Sequence, residues 1–93
     1  MYVVSQHTIH DRWKAVQASN DLINPPQGII LHLFLTDPEV SKAVCVWEAD
    51  SVETIRDMVE EALGPNADNE FFAVREPAAV GLEALTLGVT PAL

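Results

Sequence analysis

Lys42-Ala43-Val44-Cys45-Val46-Trp47-Glu48-Ala49-Asp50-Ser51-Val52-Glu53-Thr54-Ile55-Arg56 changes its repeat part-way along. From Lys42 to Trp47 the small, β-branched and aromatic side chains read as a strand. From Val52 onward the apolar positions Val52, Ile55, Val59, Ala62 and Leu63 recur at helical spacing. Glu53, Arg56, Asp57, Glu60 and Glu61 fill the wet side. Asp50 stands three residues before Glu53, a capping-box spacing with Asp in the capping place, and Gly64-Pro65 stops the helix.

Working outward, Ile29 to Leu35 is a continuous apolar strand broken by His32. Thr36-Asp37-Pro38-Glu39 supplies a turn, so this strand and the next form a hairpin. Before it, Asn24-Pro25-Pro26-Gln27-Gly28 is a connector that no helix can cross. Tyr2 to Ile9 reads as a first strand. Asp11 caps a helix from Arg12 to about Leu22, with Trp13 and Val16 three apart and Trp13 read as a packing residue. Glu70 to Val74 gives a short fourth strand. The predicted order is strand, helix, strand, strand, helix, strand: an α+β, ferredoxin-like βαββαβ domain over residues 1–76 with a four-stranded antiparallel sheet. An apolar C-terminal tail, 77–93, follows.

A sheet with helices on one side and water on the other alternates apolar and polar residues. Here Ile29, Leu31, Leu33 and Leu35 make one face of the second strand, while Ile30, His32 and Phe34 make the other. Val44 and Val46 oppose Ala43, Cys45 and Trp47, and Phe71 opposes Phe72. One chain has too few elements to cover both faces, so the pattern predicts a homodimer packed sheet to sheet. The tail, with Leu82, Leu85, Leu87 and Val89, either crosses to the partner or folds back over its own sheet.

Composition narrows the function classes. Five basic and fourteen acidic residues leave a formal charge of −9, and nine of the acids lie between Glu48 and Glu76. Phosphate backbones are repelled, which argues against nucleic acid. No stretch reaches membrane-spanning length, and Met1 to Gln6 has no basic segment leading into a long apolar run. With Cys45 the single cysteine, no internal disulfide forms, and the expected location is cytoplasmic.

The stretch from Lys42 to Arg56 is similar to the strand-to-helix segment of small DUF4242-type proteins, some described as nickel-binding. In architecture, residues 1 to 76 resemble the dimeric α/β-barrel superfamily, which includes small monooxygenases, cyclases and isomerases. The resemblance implies a pocket between helices and sheet or within the barrel. It carries over no catalytic residue.

The histidines His7, His10 and His32 draw attention because imidazole moves protons near neutral pH. His32 interrupts a strand of aliphatics and needs a hydrogen-bond partner there. It reads as a satisfied core residue, as a pocket acid or base, or as a metal ligand. His7 shares a strand face with Ser5 and Ile9, while His10 beside Asp11 reads first as a surface residue. Cys45 is a small core residue or a soft donor, and Trp47 is an anchor or a wall for a flat ligand.

The leading expectation is a cofactor-independent pocket for a small, mostly apolar organic molecule. In it His32 is acid or base, His7 or Glu48 orients it, and Trp47, Phe34 and Cys45 line the site. The second expectation is a nickel or zinc protein drawing on His7, His10, His32 and Cys45. A third is a non-catalytic interaction module.

Overall fold

The structure is a computed structural model, and it describes residues 1–75. The tail expected over 77–93 lies outside the described residues. The elements run β1 (Tyr2–Ile9), α1 (Arg12–Ile23), β2 (Ile30–Thr36), β3 (Lys42–Glu48), α2 (Val52–Leu63), a single 3₁₀ turn (Gly64–Asn66) and β4 (Ala67–Val74). The strands form one open antiparallel sheet in the order β2-β3-β1-β4. Each helix therefore joins two strands that have one other strand between them.

Both helices cover the same face of the sheet. α2 presents Ile55, Val59 and Leu63 at four-residue spacing, and all three are buried against Val3, Cys45, Trp47 and Ala67. α1 is different. It buries only Ala15 and Leu22, whereas Trp13, expected to pack, is 73% exposed and has the Arg12 guanidinium 5.5 Å from its ring centroid. Val16 is also exposed. α1 packs chiefly on α2 and leaves space above the β2–β3 half of the sheet.

Several boundaries move from the sequence expectation for local reasons. Asp11 caps α1 as read, its carboxylate accepting the Lys14 N–H at 3.1 Å. The cap of α2 is Ser51 rather than Asp50: Ser51 is extended, and its Oγ accepts the Thr54 N–H at 3.2 Å. β4 begins at Ala67, three residues before the expected Glu70, because the turn at Gly64–Asn66 sets the chain directly beside β1, pairing Ala67 with Ile9 and Asp68 with Thr8. Asp and Asn are poor strand formers, so the pairing was hidden from propensity.

The hairpin turn is built around one carboxylate. Asp37 accepts the backbone N–H of Ser41 at 2.7 Å and of Lys42 at 2.9 Å, together with the Ser41 hydroxyl. These donors hold its carboxyl below the usual range. Within the turn Val40 takes φ of 55°, a left-handed conformation that a β-branched residue adopts only under constraint.

The largest departure is a register shift in β2. Leu31 pairs with Trp47 but Leu33 pairs with Val46, so His32 is an extra residue, a β-bulge. Facing inverts beyond it. Phe34, paired with Cys45, joins Leu31 on the helix side, while Leu33 and Leu35 turn to the open face with Val46 and Val44. The expected grouping of Leu31, Leu33 and Leu35 on one face is thus corrected.

The cap assignment predicts unequal costs at neighbouring residues. Ser51→Ala should lower the free energy of urea unfolding by about 0.5–2 kcal/mol. Asp50→Ala, at an exposed position outside the cap, should stay within about 0.5 kcal/mol of the parent.

Candidate functional site

β1 lies at the centre of the sheet, yet its helix-facing side carries Ser5 and His7 between Val3 and Ile9. Polar groups there must be paired, because a buried orphan costs about 1–3 kcal/mol. The pairing is a continuous chain. Trp47 Nε1–H donates to Ser5 Oγ at 2.9 Å, Ser5 Oγ lies 2.9 Å from His7 Nε2, and His7 Nδ1 lies 2.6 Å from Asn69 Oδ1. An amide oxygen at Nδ1 requires the proton on Nδ1. Nε2 is then the acceptor, and the Ser5 hydroxyl donates to it. Trp47 and Ser5 are fully buried and His7 nearly so.

Burial is the main influence on His7 and pulls its pKa below the ordinary imidazole value. The Asn69 hydrogen bond and the nearby Glu60 carboxylate oppose it. The neutral ring is thus the folded-state form near pH 7. Cys45, fully buried and paired across the strands with Ser5, has its thiol pushed up to about 11 by desolvation. That leaves almost no thiolate at neutral pH, so neither nucleophilic attack nor ready metal ligation is favoured at this sulfur. Its burial also removes it from any bridge to a second chain.

Beside His7 is a cavity of about 130 Å³ in the gap under α1, lined by His7, Ala15, Val16, Ser19, Leu22, Phe34, Thr36, Val40, Ala43 and Leu63, with Ile9. Its wall is almost wholly apolar. Val16 and Phe34 are partly exposed where it opens between α1 and the edge strand β2. Trp47 and Cys45, expected as lining residues, lie deeper in the core and do not border it. Phe34 does, because the bulge turned it inward.

His32 is placed elsewhere. Its Nε2 is 2.9 Å from Glu48 Oε1, and the Tyr2 ring meets it edge-on at 5.5 Å between centroids, with side-chain exposure of only 6%. Tyr2 and Glu48 are register partners on the face away from the helices. The expected pairing of His32 with Glu48 is therefore present, whereas His7 belongs to a separate network on the opposite face. His10 forms an exposed pair with Asp68 at 2.9 Å. His7, His10, His32 and Cys45 are not gathered, and among the described residues no group of three or more His, Cys, Asp or Glu side chains could hold a metal ion.

Ser5 and Asn69 were missed by sequence reasoning. The available signal for Ser5 was its place two residues before His7, on the same face of a strand otherwise apolar on that side. Asn69 had none, since it belongs to the unread part of β4.

Comparison of the chain with protein-family models, with curated proteins and with solved structures finds no match. Its chemistry is accordingly read from its own residues. Among the described residues, no helix is long and apolar enough to cross a membrane.

The lowered pKa of His7 fixes the sign of a pH effect. The unfolded chain takes up a proton near the ordinary imidazole value of about 6.5, while the folded chain resists it. His7's share of stability is thus intact above that pH and is lost as pH falls toward the lower folded value. Urea unfolding followed between neutral and mildly acidic pH should show this loss in the parent and a shallower one in His7→Gln; identical slopes would refute the assignment.

Proposed function

We propose that this chain is a ferredoxin-like domain that binds a small, mostly apolar organic molecule in the cavity between α1 and the sheet. The observation that carries the reading is the cavity itself. An apolar void of roughly 150 Å³ accepts a benzene-sized guest, and this one, at about 130 Å³, opens beside a helix that buries only two side chains. A single ring or a short branched chain fits its size. His7 contributes a rigid aromatic edge to the wall, because both of its nitrogens are already engaged. Acid or base work by His32 with Glu48 concerns the other side of the sheet and has no access to a molecule held under α1.

The strand order and the right alternation of helices support the ferredoxin-like reading, and the open face supports the homodimer. The register places Leu33, Val46, Val4 and Phe72 side by side in one row across all four strands, all apolar. Leu35 and Phe72 at the two edges are 56% and 47% exposed. A contiguous apolar band of this kind marks a contact surface, and a second copy related by a two-fold axis along the strands would lay the row against itself. Of the charges on this face, Lys42, Asp68 and Glu70 stand together at one end, and Glu48, paired with His32, stands at the other. Under that axis the lysine of one copy approaches the acids of the other.

Two measurements test these readings. Amide NMR titration with toluene should shift Ala15, Val16, Leu22 and Ala43 selectively, and Ala43→Leu, which fills the void, should abolish the shifts; no response up to the solubility of toluene would sink the binding reading. Sedimentation equilibrium should give a dimer at micromolar concentration for the parent and a folded monomer for Phe72→Glu. A parent that stays monomeric would remove the self-association.

A further inference from the structure

The cavity's hydrogen-bonding groups restrict what its occupant carries, an inference that rests on the binding reading above. Among the described residues, three polar side chains line the wall: His7, Ser19 and Thr36. Ser19 donates its hydroxyl proton to the Val16 carbonyl at 2.6 Å, inside α1. Thr36 donates its proton to the Asp37 carbonyl at 3.2 Å, at the end of β2. His7 donates from Nδ1 to Asn69 and accepts at Nε2 from Ser5. Every side-chain proton on the wall is therefore already committed. What remains are the lone pairs of two hydroxyl oxygens, one on the helix and one on the strand.

We propose that the cavity selects a neutral single-ring or short-chain molecule bearing a hydrogen-bond donor, a phenol, alcohol or N–H compound, over a carbonyl or carboxylate compound of the same size. A hydroxyl inside the cavity finds an acceptor at Ser19 or Thr36 without breaking an existing bond. A carbonyl oxygen finds no donor there and loses its water, a cost that apolar contact must offset. A carboxylate fares worse, since among the described residues no lysine or arginine borders the cavity and the chain carries a net charge of −9.

The test compares isosteres by NMR titration of the full chain with toluene, phenol, benzaldehyde and benzoate. Phenol is expected to bind about fivefold more tightly than toluene, the worth of one neutral hydrogen bond. Benzaldehyde and benzoate are expected to bind more weakly than toluene. In the double variant Ser19→Ala with Thr36→Val, at positions that are not buried, phenol should bind no more tightly than toluene does to that same variant. If toluene and phenol both fail to shift the cavity residues, the binding reading itself is lost. If toluene binds while phenol is no tighter, or benzaldehyde is tighter, or the double variant keeps the preference for phenol, donor selection alone is overturned.

Discussion

The hydrogen-bond chain from Trp47 through Ser5 and His7 to Asn69 fixes how β3, β1 and β4 lie against one another. Ser5 and His7 are on the central strand, Trp47 is on one neighbour and Asn69 on the other. A slip of one residue in either pairing would turn every side chain of the slipped strand to the opposite face and leave buried polar atoms without partners. Hydrophobic contact alone is less discriminating, because Val4, Val44 and Val46 on the far side are nearly as apolar as Val3, Ala43 and Cys45 on the near side. The polar chain breaks that ambiguity. It also pairs both nitrogens of a buried histidine, while the Asn69 amide nitrogen at its far end is buried without a partner.

The same chain removes His7 from chemistry while placing it at the cavity wall. An imidazole with both nitrogens engaged, held neutral by burial, is a shape rather than a proton carrier. The shielded histidine with a carboxylate partner is His32, and the bulge that creates its position turns Phe34 toward the helices. A single inserted residue in an edge strand thus sorts two side-chain groupings to two sides of the sheet: an apolar wall under α1, and an imidazole–carboxylate pair with Tyr2 on the open face.

Much of this was legible in the sequence, and what was not had physical causes. The order of elements followed from turn chemistry and from the change of period between Trp47 and Val52. The strength of the α2 pattern is mirrored in its burial of Ile55, Val59 and Leu63. The pairing of His32 with Glu48 was foreseeable as chemistry, though not as geometry, because a bulge leaves no mark on strand periodicity until the partner strand is known. The facing of α1 was not legible, since its apolar residues form no clear stripe: small Ala15 goes inward and large Trp13 outward. β4 was shortened by the polar run Asp68-Asn69, one of whose members turned out to hold the central histidine.

The hairpin between β2 and β3 makes the two rims of the cavity unequal. Val40 contributes to the wall while held in a left-handed backbone conformation, and the Asp37 carboxylate clamps the loop around it. A glycine would relieve that local strain but would delete an aliphatic surface, so packing and backbone comfort pull in opposite directions at this one position. The opposite rim is α1, anchored by two small footholds, Ala15 and Leu22. The void thus lies between a rim tied down by hydrogen bonds and a rim held by packing alone, and the two respond to different substitutions: loss of the Asp37 carboxylate frees the first, and truncation of Leu22 frees the second.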